Sequence, residues 1–134
     1  MSVLYPIGKK GLLDGTIDLL DDTIKAALID TAVYTYSAAH DFYDDLSAGV
    51  VGTPVALTNK TTTAGVFDAD PTVILSVTGD SCEAIGIYKD TGTPTTSPLI
   101  AYIDSGTGLP VTPDGNNITL TWSGSGIFGL EDPA

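Results

Sequence analysis

His40 is the only histidine in this 134-residue chain, and it stands beside carboxylates at Asp41, Asp44 and Asp45. An imidazole held by an aspartate is the nucleus of general-base chemistry, in which the carboxylate orients the ring and the ring takes a proton from a nucleophile. The nucleophile is missing from the pattern, because no Gly-x-Ser-x-Gly elbow or comparable motif accompanies the histidine. Capping, packing or partner contact is the ordinary use of such a residue. Paired carboxylates can hydrolyse glycosides when distant residues converge on one cleft. With 17 acidic residues in the chain, however, pairs arise by chance.

Other chemical patterns fare no better. Gly124-Ser125-Gly126-Ile127-Phe128-Gly129 matches the dinucleotide fingerprint in letters, but that fingerprint works where a strand ends and a helix begins, and only five residues follow it here. A glycine-rich turn between two terminal strands is the expected structure. Oxygen ligands for calcium gather around Asp14, Asp18, Asp21 and Asp22, and again at Asp68 and Asp70. Neither set has the twelve-residue loop closed by a glutamate, so both are expected to be turn and cap residues. Cys82, the one cysteine, excludes an intramolecular disulfide and leaves too little thiolate for a zinc or iron–sulfur site. Within Ser81-Cys82-Glu83-Ala84-Ile85 it reads as a small buried strand residue. The glycosylation triplets Asn59-Lys60-Thr61 and Asn117-Ile118-Thr119 mean little without a secretory signal, and Met1 to Ile7 shows none. No cofactor or metal is expected, and an enzyme is the least favoured reading.

Charge narrows the partners. Five lysines, no arginine and 17 acidic residues give a formal charge of −12. Phosphate backbones are bound chiefly through Lys and Arg, so direct contact with nucleic acid is disfavoured. No apolar run approaches the length needed to span a bilayer, and membrane insertion is not expected.

The elements that must position these residues are read from punctuation and period. A 43% apolar content with 16% charged residues supports a folded core, and the length suits one domain spanning residues 1–134. Fifteen Gly and eight Pro set among short apolar runs mark short strands joined by tight turns. Ile17 and Leu19, then Ile24, Ala26 and Leu28, satisfy a period of two on either side of Asp21-Asp22, and a hairpin is expected there. Helical spacing of Ile17, Leu20, Ile24, Ala27 and Leu28 competes with it. Ser37 is placed to cap a short helix from Ala38 to Leu46. Strands are expected at Pro54–Thr58 and Thr61–Phe67. A hairpin should run from Thr72–Thr78 into Cys82–Lys89, with Val73, Leu75 and Val77 on one face. Leu99–Asp104, Leu109–Thr112 and Ile127–Leu130 follow as further strands. Ile118, Leu120 and Trp122 alternate with Thr119 and Thr121 in the clearest strand pattern of the chain. The sum is an all-β domain of about 8–10 short strands with one short helix, closed as a sandwich or barrel, a jelly roll being one such form. Residues 1–10 could extend as an N-terminal arm.

Several segments together resemble small structural proteins encoded near the head genes of tailed phages. They are Gly11–Leu19, Asp22–Asp30, His40-Asp41-Phe42, Gly65–Asp70, Tyr88–Gly92, Ser97–Asp104 and Gly108–Pro113. The resemblance covers most of the chain and implies a virion part, foremost a capsid cement or decoration protein that binds and reinforces the major capsid protein lattice on the capsid surface. Such proteins are often trimers, so a homo-oligomer is implied as well. Many copies of one weak contact on an ordered lattice give large avidity. Contact with a partner would fall to the N-terminal Tyr5, Lys9 and Lys10 and to the aromatic segment with Tyr34, Tyr36, His40, Phe42 and Tyr43, although an ordinary terminus and core packing account for the same residues. Competing roles are a head–tail connector, tail or receptor-binding β protein, and a small carbohydrate-binding module using Trp122 and the tyrosines as stacking faces.

Overall fold

The computed structural model describes residues 2–106, 108–130 and 133. Among them lie nine strands and two α-helices: β1 (Val3–Leu4), α1 (Pro6–Asp14), β2 (Ile24–Ile29), α2 (Tyr43–Leu46), β3 (Val50–Ala56), β4 (Val66–Phe67), β5 (Thr72–Ile74), β6 (Ala84–Lys89), β7 (Leu99–Ile103), β8 (Ile118–Leu120) and β9 (Phe128–Gly129). Five strands form an antiparallel sheet in the order β1-β7-β6-β2-β3, and two ribbons, β4-β9 and β5-β8, complete the β structure. The expected all-β, sandwich-like class is the one observed.

β2 and β6 hold the sheet's interior. In β2 every residue except Lys25 is buried, and in β6 every residue except Lys89. A strand covered on both faces reads as a continuous apolar run, which hides its period of two. Alternation nevertheless sorts the side chains. Ile24, Ala26 and Leu28, with Ile85, Ile87 and Ala101, face one way into a cluster that includes Ile17, Leu57, Phe67, Ile74, Val77, Cys82 and Leu120. Ala27, Ile29, Ala84, Tyr88, Leu99 and Tyr102 face the other way, against Tyr5, Tyr34 and Leu46. The ribbons supply residues to the first cluster, and the segment between β2 and β3 supplies them to the second. Two bulges interrupt the ladders. Ile100 is the extra residue of β7 between Ala101 and Leu99, and three residues of β3, Gly52, Thr53 and Pro54, stand opposite Ala27 alone.

Several expectations are corrected. The arm expected over residues 1–10 is not seen among the described residues, because Val3 and Leu4 pair with Tyr102 and Ala101, and the chain then turns into α1. Pro6 suits the first helical turn, and Gly15, at φ 81°, ends the helix in the left-handed region. Gly8 lets the helix lie against β7, since a Cβ there would stand 2.7 Å from the Ile100 Cα. The hairpin across Asp21-Asp22 does not form. Residues 18–22 are instead a turn in which Asp18 Oδ1 accepts the amides of Leu20 and Asp21, Asp22 Oδ2 accepts that of Asp18, and β2 pairs with β3 and β6. Aspartates this close bond their own backbone and favour turns over ladders. The helix expected over Ala38–Leu46 shortens to α2, and Asp45 rather than Ser37 caps it, accepting the amides of Asp41 at 2.8 Å and Phe42 at 3.4 Å.

The other expected hairpin also separates, β5 pairing with β8 while β6 enters the main sheet. Thr72 and Ile74 point inward, Val73 and Leu75 outward. Ser76, at φ 47°, then resets the phase so that Val77 is fully buried. Within Thr61–Phe67 only β4 is a ladder strand, Thr61 forming a lone bridge with Asp68.

Candidate functional site

The residues around His40 form a hydrogen-bonded aromatic cluster on the second face of the sheet. The Tyr5 and Tyr34 hydroxyls lie 2.7 Å apart, and the Tyr34 hydroxyl lies 2.8 Å from His40 Nδ1. Tyr36 packs its ring against Tyr5 and Tyr102, with centroids 5.1 and 5.5 Å apart, and Tyr43 stacks on Tyr88 at 4.4 Å. Burial, reinforced by the Tyr34 hydrogen bond, holds the Tyr5 phenol well above its usual range. Burial does the same to Tyr88, Tyr43, Tyr34 and Tyr102.

The Tyr34 hydroxyl thus occupies His40 Nδ1. Ser97, the buried serine nearby in sequence to the cluster's Leu99, spends its hydroxyl on the Thr93 carbonyl at 2.8 Å and accepts the Thr91 amide. Asp45, the strongest candidate to orient His40, is the α2 cap already described. The arrangement ties an irregular segment to the sheet.

The acidic clusters serve as internal partners too. Asp14 accepts the Lys10 ammonium at 2.8 Å and both polar groups of Thr16, which together pull its carboxyl down to about 2. Lys25 pairs with Asp90 at 2.7 Å, and Lys89 with Asp22 at 3.1 Å. Lys60 donates to the Asp22 carbonyl. Glu83 accepts the amide and hydroxyl of Thr31 across the sheet end. Among the described residues, no three His, Cys, Asp or Glu side chains gather about a point where a metal could sit. Cys82 is buried, as expected, and burial raises its thiol to about 11.

Of the residues expected at a partner surface, Tyr5 and Tyr34 are core residues at 0% and 4% exposure, and cannot meet a partner without unfolding the second face. Tyr36, His40, Phe42 and Tyr43 are half-buried, engaged with the sheet rather than forming one exposed patch. Lys9 and Lys10 are exposed on α1. Trp122 is also half-buried and donates its indole N–H to the Asp70 carbonyl at 3.1 Å, which leaves it poorly placed as a stacking platform.

An apolar groove lies elsewhere on the molecule. It measures about 410 Å³ and runs between the β1 edge, α1 and β9. Leu4 and Ile103 form its floor on the sheet side, Ile127 and Phe128 its opposite wall, and Leu13 and Leu130 stand at its rim, 84% and 66% exposed. Among the described residues, Lys9 is the one charged residue in the lining. Sequence reading missed the groove because its walls come from opposite ends of the chain. The available signal was Leu13, an apolar residue placed immediately before the Asp14-Gly15 helix end. No helix among the described residues is long and apolar enough to cross a membrane. No protein-family model matches the chain, and no curated protein matches its sequence.

Proposed function

We propose that this chain is a non-enzymatic structural protein of a tailed-phage virion, acting as a cement or decoration protein bound to the major capsid protein. The observation that carries the reading is the exposed apolar groove with Leu13 and Leu130 at its rim, set in a body of formal charge −12. Apolar side chains held this far into solvent mark an association surface more readily than a catalytic cleft. The engagement of His40 by Tyr34, and of most lysines by the chain's own oxygens, supports a binding rather than a catalytic role. Resemblance to phage head-region proteins supports the choice of partner.

On a lattice, weak contacts repeated at every site, and oligomerisation as a trimer, would multiply into strong retention. Cosedimentation of the purified protein with empty major-capsid shells tests the reading. Saturation at a fixed ratio to the capsid subunit, with increased heat resistance of the shells, is the expected result. Binding to tails or connectors instead, at low copy number, would move the protein to the head–tail or tail class.

A further inference from the structure

We infer that the groove beside β1 takes an extended peptide segment of a partner protein, one with alternating apolar side chains and a carboxylate that meets Lys9. This deepens the proposed function by naming a binding surface, and rests on it only for the identity of the partner.

The backbone supplies the first argument. Val3 opposes Tyr102, Leu4 opposes Ala101, and the Tyr5 amide donates to the Ile100 carbonyl at 2.9 Å. In an antiparallel pair, inward-bonded and outward-facing residues alternate, so the Leu4 N–H and C=O point away from β7. They meet no partner among the described residues. A strand edge with unpaired groups accepts another strand, and pockets beside it select alternate side chains. Leu4, Ile103, Ile127 and Phe128 provide such a pocket directly beside this edge.

Charge selects the ligand. Of the five lysines, Lys10, Lys25 and Lys89 are paired with Asp14, Asp90 and Asp22, and Lys60 donates to the Asp22 carbonyl. Lys9 has no side-chain partner among the described residues, and it is the lysine that lines the groove. The chain's large negative charge would favour a basic segment at long range, but charges beyond about 8 Å are largely screened at physiological salt. Lys9 is the charge that the described lining places in the groove itself, and it sets the local preference.

The test is an NMR titration of the full-length, isotope-labelled chain with two blocked peptides, VTVEVT and VTVKVT. VTVEVT should shift amide signals of residues 2–4, 9, 13, 101, 103 and 127–130. The substitution Lys9→Glu should weaken it about fivefold and invert the preference toward VTVKVT. Leu13→Ser, at an exposed site, should weaken both peptides while leaving the unbound spectrum otherwise unchanged. Shifts scattered over the molecule, wild-type preference for VTVKVT, or indifference to Lys9→Glu would overturn the inference. So would concentration-dependent shifts at the groove without peptide, which would place a second copy of the chain there. Failure in this titration with retained shell binding rejects the groove but not the cement reading; peptide binding without shell binding does the reverse.

Discussion

The two faces of the central sheet are covered in different ways. On one face, Ile24, Ala26, Leu28, Ile85 and Ile87 meet strands of the two ribbons, which pair within each ribbon through their own ladders. On the other, Ala27, Ile29, Leu99 and Tyr102 meet Tyr5 and a segment, residues 30–49, that has only one α-helical turn and a short 3-10 turn. A ribbon can cover a sheet with apolar side chains alone, as Phe67, Ile74 and Leu120 do here. A segment without a ladder needs polar tethers, and tyrosine provides area and a hydroxyl in one residue. The hydroxyl chain from Tyr5 through Tyr34 to His40, and the Glu83 bonds to Thr31, perform that tethering.

This contrast can be broken by mutation. Ile87→Ala on the ribbon-covered face should cost about 2–5 kcal/mol, from lost burial and the cavity left between sheet and ribbons. Urea denaturation would measure it. Tyr34→Phe should cost about 1–3 kcal/mol, since it removes the partner of both the Tyr5 hydroxyl and His40 Nδ1. Adding Tyr5→Phe should recover part of that loss, because the buried hydroxyl left unpaired is then gone. A neutral Tyr34→Phe would mean that area alone fastens the segment.

Alkaline pH should act mainly through the second face. Burial raises the phenols of Tyr5, Tyr88, Tyr34, Tyr43 and Tyr102 in the folded chain. The unfolded chain releases those protons near pH 10. The folded state then holds protons that the unfolded state has lost, so stability is full below about pH 10 and falls as pH rises beyond it. Phenolate absorbance and far-ultraviolet circular dichroism should therefore change together, whereas early ionisation at constant dichroism would show that the tyrosines are wet. Cys82, on the ribbon-covered face, should resist thiol reagents until denaturant unfolds the chain. The smallest effect is expected for Leu13→Ser, within about 0.5 kcal/mol, because that side chain lies outside both clusters.

Composition and spacing conveyed the class and many of the strands. The runs that became β6, β7 and β8 were legible, as was the inward turn of Leu120, because each lies between strong turn signals. Pairing was not legible. β5 is followed shortly by β6 and yet joins β8, since a ladder partner depends on which surfaces remain uncovered after the sheet has formed. Tyr5 illustrates the same limit at the candidate surface. Its place near the N-terminus suggested exposure, but its amide closes the β1 ladder and draws the ring into the core. The groove required knowledge of where residues 3–13 and 127–130 meet.

The irregularity in β3 bears on how these molecules can assemble. Gly52, in the left-handed region, with Thr53 and Pro54, breaks the ladder on the sheet's far border, and proline offers no amide there. The sheet thus has one blunted border and one receptive border. Two molecules sharing their receptive borders would present only blunted ones, so growth by this route stops at a pair and cannot propagate into a fibre.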